Sequence, residues 1–308
     1  MIRWFALAAA GCTFATTPKD TGEDTTDDSG VTTVPPTGSG LVQDQIVQDV
    51  VDSLDVLWVV DGAVDTTGLA ELGSIPFDFL VGTGIDYHLG VVPADLSDPT
   101  TAGHLVEAAG LRWVEAETPN PIGVFGQLLA GASDPAAVAQ GRGAAYTAID
   151  LEGSGSNLGF TRGAPLHLVL VGDGTDETDP TLIDEAGFVS WLDGLHPDDR
   201  SYACLTVGPP VSDACALTAA AIGGVVAEAS DTEALSELGL DWVGLERTFA
   251  LSQPFGSGLE VEVLDGGATL AFVEGADYTY DPVANAITFV EYIPSAGATV
   301  VIRYTAGP

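Results

Sequence analysis

Two largely apolar runs stand out in the chain. Residues 54–60 read LDVLWVV and residues 166–171 read LHLVLV, and each leads into an acidic segment, DGAVD at 61–65 and GDGTD at 172–176. Short aliphatic, β-branched runs bounded by Gly and Asp predict strands buried on both faces, as in a parallel sheet. Around them the spacing changes. Residues 68–81 place Leu69, Leu72, Ile75, Phe79 and Leu80 at helical intervals, interrupted by Gly73 and Pro76. Helices are also predicted over 122–129, 136–149, 183–195 and 215–222, and strands over 87–92, 202–207 and 225–229. Residues 105–117 predict a strand or hairpin around Gly110, and residues 45–51 a short lead-in to the first buried strand. Ser230 and Glu233 have the spacing of a capping box opening a last helix to Leu240. Strands alternating with helices imply a mostly parallel sheet covered on both faces. Asp61, Asp65, Asp173 and Asp176 then reach the carboxyl edge, where ligands collect in open α/β sheets.

After residue 248 the period shortens. Runs at 259–263, 269–273, 286–289 and 299–304 are separated by Gly-, Pro- and Asp-rich turns. They predict a small all-β unit over 249–308.

Composition narrows the function classes. The 308 residues suffice for one medium domain and a small one. There are 45 Asp+Glu against 8 Lys+Arg, a formal net charge of −37, and Lys19 is the one lysine. Such a surface repels phosphate backbones and anionic lipid, which excludes nucleic acid as a partner. It suits divalent cations, basic partners or plain solubility. The chain has neither a Gly-x-Ser-x-Gly elbow nor a phosphate-binding loop. His88, His104, His167 and His196 lack metal-ligand spacing, and His88 and His167 fall within expected strands, where a structural role is the simpler reading. Trp58 and Trp191 read as core residues; Trp113 and Trp242 read as nearer the surface.

The first residues, Met1-Ile2-Arg3 and then an apolar stretch ending Ala9-Ala10-Gly11-Cys12, resemble a bacterial lipoprotein signal peptide. The resemblance implies that residues 1–11 are removed, that Cys12 carries lipid, and that the membrane is met only through this anchor. It places the protein in the cell envelope, with the outer membrane preferred. Residues 12–40, rich in Thr, Asp, Gly, Ser and Pro, read as a disordered tether. Setting Cys12 aside leaves Cys204 and Cys215. They form either two buried thiols or, in an oxidising compartment, a disulfide worth about 3 kcal/mol in the chain-entropy model.

Asp61 at a strand end, the strand HLGVV at 88–92 and the strand ending at Asp173 together resemble a von Willebrand factor A domain of the kind found in bacterial surface lipoproteins. The resemblance runs over residues 43–247. It implies a doubly wound α/β domain at 41–248, a sandwich-like all-β domain after it, and non-catalytic binding of a protein or surface polymer. It also implies a metal-ion-dependent adhesion site built from an Asp-x-Ser-x-Ser motif, a threonine and a further aspartate. A partner's acidic side chain would complete the coordination of the cation. Here the serine positions hold Ala63 and Asp65, and Ser133 is the hydroxyl nearest the threonine position. Asp173 matches the third loop, with Asp176 beside it. The metal candidates are therefore Asp61, Asp65, Ser133, Asp173 and Asp176, for Ca²⁺ or Mg²⁺, both hard cations that prefer oxygen. Two other readings stand beside this one. One is a structural spacer with a dead, metal-free site. The other is a hydrolase using Asp173 or Glu177, which requires a carboxylate beside His88 or His167 in a deep pocket.

Overall fold

In the computed structural model, which describes residues 31–34, 40–63, 68–134, 136–152, 155–195 and 200–307, the chain opens with strands β1 (Val31–Val34) and β2 (Leu41–Val47). An α/β series follows: β3 (Ser53–Val60), α1 (Leu69–Thr83), β4 (Asp86–Pro93), β5 (Trp113–Val114), α2 (Pro121–Gly131), α3 (Gly141–Asp150) and β6 (Leu166–Gly172). It continues through α4 (Glu185–Leu195), β7 (Arg200–Thr206), α5 (Ala214–Ile222), β8 (Val225–Glu228) and α6 (Thr232–Val243). The chain then returns to strands: β9 (Thr248–Ala250), β10 (Phe255–Asp265), β11 (Ala268–Phe272), β12 (Tyr278–Asp281), β13 (Ala286–Phe289) and β14 (Thr299–Ala306).

The six-stranded sheet has the order β5-β4-β3-β6-β7-β8. All pairs are parallel except the edge pair β4–β5. This is the doubly wound order, with its switch point beside β3. The largely apolar run of β3 follows from burial on both sides. Val56, Trp58 and Val60 join one core with Phe77, Phe125, Leu238 and Trp242, from α1, α2 and α6. Leu57 and Val59 join the other with Ala144, Phe188, Leu192 and Cys215, from α3, α4 and α5. Gly239 lets α1 and α6 approach closely, since a β-carbon there would lie 2.7 Å from Pro76 Cα.

The all-β part is a two-sheet packing. A five-stranded sheet, β1-β2-β14-β10-β11, faces a three-stranded sheet, β12-β13-β9. Val42, Val263, Ile302, Phe249, Ile287 and Phe289 fill the space between them. Residues 41–47 therefore do not lead into the α/β sheet. They form an inner strand of the other unit, pairing along their whole length with β14. Val31–Val34, expected within the tether, pairs with β2. The α/β series is an insertion between β2 and β9, not a domain that the β-unit simply follows.

Gln48 stands at the neck of this insertion, 2% exposed. Its Nε2 donates to the carbonyls of Glu246 (2.6 Å) and Pro294 (3.4 Å), and its main chain exchanges bonds with Gly297 and Ala298. This side chain thus ties the outgoing and returning connections to the β-unit.

Other expectations shift in detail. Residues 105–117 contribute only the short β5 and a bridge between Ala108 and Leu111. Helix α3 begins at Gly141 rather than 136, because Gln140 N–H is held by the Ala94 carbonyl at 2.6 Å. The cap of α6 is Asp231, whose carboxylate accepts from Glu233 and Ala234 N–H, and not Ser230. Trp242 is fully buried, packed edge-on against Trp58.

Candidate functional site

Three loops meet at the carboxyl edge of the parallel sheet. Asp61 directly follows β3 and continues the ladder, its N–H donating to Val171 O at 2.8 Å. Its side chain is 5% exposed, and Oδ1 accepts from Ala63 N–H at 2.9 Å. Gly62 brings the second loop against the first: a β-carbon there would lie 2.6 Å from Asp134 N, while Gly62 O accepts that N–H at 3.1 Å. This contact sets Ser133, which is exposed, beside the Asp61 loop. Gly172 brings in the third loop. Its missing side chain leaves room for Asp61, whose Cβ would be 3.1 Å from a β-carbon at that position. Asp173 follows at once, its Oδ1 accepting from Thr175 N–H (3.0 Å) and Thr175 Oγ1 (2.6 Å).

Burial raises the Asp61 carboxyl above its ordinary value, and the negative charge of Asp173 raises it further; the Ala63 N–H opposes both. A cavity of ≈ 20 Å³ lies beneath, lined by Asp61, Gly141, Leu170, Gly172, Gly174 and Thr175. It has room for about one water and not for a substrate.

Asp176 has a different task from the one its sequence position suggests. Its Oδ2 accepts from both Arg142 N–H and Nε at 3.0 Å, and its Oδ1 from Thr178 N–H at 2.9 Å. The carboxylate is engaged by the first turn of α3 and by the Arg142 charge. Asp65 and Cys12 lie outside the described residues. Among the described residues no group of three or more His, Cys, Asp and Glu side chains gathers as a metal cluster. Asp61, Ser133 and Asp173 are thus the candidates that the fold brings to one edge.

The cysteines form a disulfide between β7 and α5, Cys204–Cys215, with Cα atoms 5.8 Å apart. It braces the β7–α5 connection, which hydrogen-bonds to the third loop. Val211 N–H donates to Asp173 O at 2.7 Å and Cys215 N–H to Gly174 O at 3.2 Å.

His88 does meet carboxylates, but at the amino end of the sheet, opposite Asp55 in the β3–β4 register. Nδ1 is 2.7 Å from Phe160 O and 4.0 Å from Asp55, and Nε2 is 3.5 Å from Glu115. Asp55 is fully buried and accepts from Arg162 N–H (3.0 Å) and NH2 (3.1 Å). Burial raises its carboxyl while Arg162 pulls it back down. The same Arg162 holds Asp86 at 2.6 Å. These groups satisfy one another across β3, β4 and the 160–162 loop. His88 is a structural residue, and the condition for the hydrolase reading is not met by this pair.

The doubly wound sheet with one antiparallel border strand makes this an α/β protein carrying an antiparallel β-unit. No family model matches the chain, and no curated protein matches it. Among solved structures it is similar to the pilus adhesin SpaC from Lactobacillus rhamnosus GG in its open conformation. Identity is 10% and the TM-score 0.44, over 89% of this chain and 42% of the adhesin. It is also similar to proximal thread matrix protein 1 from the mussel byssus, at 12% identity and TM-score 0.36, over 66% of this chain and 48% of that one. The VWA domain of SpRpn10 aligns at 9% identity and TM-score 0.37, over 61% of this chain and 94% of the domain. The chain thus spans less than half the length of the adhesin and of the byssus protein. All three scores are low, and the fold assignment rests on strand order and register.

Proposed function

We propose that this protein is a non-catalytic binding protein of the cell envelope that engages a protein or surface polymer through the carboxyl-edge loops of its α/β unit. The observation that carries the reading is the meeting of Asp61, Ser133 and Asp173 from three separate loops, with the Asp173 charge close enough to raise the proton affinity of Asp61. Such a pair gains from a hard cation. Asp61 and Asp173 would hold Ca²⁺ or Mg²⁺, with Ser133 adding a hydroxyl and water or an acidic partner group supplying the remaining oxygens. The cation's role would be to bridge chain and partner, with no bond broken. Lipidation at Cys12 would place the protein on a bacterial membrane, with the outer membrane preferred. Among the described residues no helix is long and apolar enough to cross a membrane.

A metal-free spacer is the second reading. It is favoured by the internal bonds that Asp61, Asp173 and Asp176 each make. Calorimetric titration of Ca²⁺ and Mg²⁺ into the full chain and into Asp61→Ala separates the two. Saturable binding that is lost in the variant is expected. Heat that survives Asp61→Ala, or no heat in the parent, sinks the cation-bridged reading and leaves the spacer.

A further inference from the structure

β8 borders the six-stranded sheet and, among the described residues, pairs only with β7. Ala229 N–H donates to Thr206 O at 2.8 Å, and Thr206 Oγ1 donates to Ala227 O at 3.4 Å. The odd-numbered residues therefore turn their main-chain groups toward β7. Val226, one residue out of phase, turns its N–H and C=O to the open side. So does Glu228 N–H, while Glu228 O is already taken by Asp231 N–H. The strand is also laterally bare, with Val225 43% and Val226 50% exposed.

Beside the start of this strand lies a groove of ≈ 430 Å³, walled by Ile222, Ala234 and Leu238 and by the carboxylates of Glu237 and Asp241. Glu237 is paired with Arg247 at 2.9 Å. Asp241 faces no basic side chain among the described residues, and burial alone lifts its carboxyl. Of the arginines whose side chains are described, Arg112, Arg142, Arg162 and Arg303 stand against carboxylates elsewhere, and Arg247 stands against Glu237 of the groove. Among the described side chains Asp241 is left without a basic partner, so a cationic group brought by another molecule would complement it.

We propose that the free edge of β8 and the groove beside it receive an extended, lysine- or arginine-bearing segment of a partner protein, which adds to the sheet as a further strand. Val226 and Glu228 supply the main-chain bonds. The groove takes an alternate side chain of the segment, and Asp241 and Glu237 select a cationic one. A strand of four residues offers few ladder bonds, so the groove and its charges must carry the discrimination. A second copy of this chain fits poorly. Edge-to-edge pairing would set Glu228, Glu237 and Asp241 of two strongly acidic molecules against each other. This site lies beside the start of β8 and needs no cation, so it stands or falls apart from the carboxyl-edge reading.

The test uses the full chain in EDTA with two capped heptapeptides, Thr-Val-Lys-Val-Lys-Val-Thr and its counterpart with glutamate in place of lysine. Calorimetry gives affinity, and amide hydrogen exchange gives the place of binding. The lysine peptide is expected to bind, to slow exchange at Val226 and Glu228, and to lose affinity as salt rises. Glu237→Gln with Asp241→Asn should weaken it roughly fivefold at an unchanged melting temperature, and Val226→Pro should abolish it. Failure of the lysine peptide to bind, equal binding of the glutamate peptide, or parent-like affinity in the double variant would each overturn the proposal. Sedimentation showing dimers closed through this edge would overturn it as well, by naming the second copy as the occupant.

Discussion

His167 is the residue whose protonation the fold most clearly resists. It sits within β6, its ring centroid 6.3 Å from that of Trp242 and its Nδ1 2.6 Å from Ser201 Oγ. Its Nε2 is buried and meets no hydrogen-bonding partner among the described residues. Burial pushes the imidazole from its ordinary 6.5 down to about 4. An unfolded chain takes up this proton near 6.5 and the folded one only near 4. Acidification across that window therefore favours unfolding, by about 3 kcal/mol once it is crossed. Above the window His167 contributes no pH dependence. Urea denaturation of the parent and of His167→Gln from pH 7 to pH 4 isolates the term from that of the many carboxylates. The parent's stability relative to the variant should fall by about 3 kcal/mol between the two ends. A pH-independent difference would show that the native state accepts the proton.

Between elements, α1 and α6 approach closely. Gly239 lies where a β-carbon would meet Pro76 Cα at 2.7 Å and its carbonyl at 2.9 Å, and neither backbone atom can swing away. Gly239→Ala gains up to about 1 kcal/mol of helix propensity. Overpacking costs about 1–3 kcal/mol, so a net loss is expected as a lower melting temperature. An unchanged or higher value would mean that the two helices slide apart freely. Elements of this kind were legible where one physical cause dominates the local pattern. β3 and β6 are buried on both faces, so their apolar runs announce them, and the aspartates that follow announce the edge. β2 was not legible. Its Asp44 is fully buried, but only because Ser252 and Tyr304, more than two hundred residues away in sequence, donate to it at 2.5–3.0 Å. Read locally, VQDQ is a polar lead-in. The pairing of Asp176 was not legible for the same reason, since its partner Arg142 stands 34 residues earlier on another element. Trp242 looked like a surface residue because its helix alternates acids with apolar positions, and only the packing of Trp58 against it shows the depth of the core.

At the scale of the whole molecule, the insertion topology decides which pieces can stand alone. The segment 249–308 lacks β2, the strand that supplies Val42 to the core and pairs with β14 through seven register positions. Expressed by itself it should give a collapsed, poorly dispersed amide spectrum, whereas a chain that keeps residues 31–48 joined through the α/β unit should not. A well-dispersed spectrum from 249–308 would show that β2 is dispensable. The same topology sets how the molecule bears load. A pull on the α/β unit, resisted at the carboxyl end of β14, enters at Gln48 and runs lengthwise down β2, whose far end at Leu41 stands opposite Thr305. The bonds to β14 then lie across the line of force and are strained together rather than opened one after another, so the strand yields only when its whole ladder slips. A chain threaded in this way behaves less like a zipper than like a lap joint, and its grip on a surface would be limited by that seam.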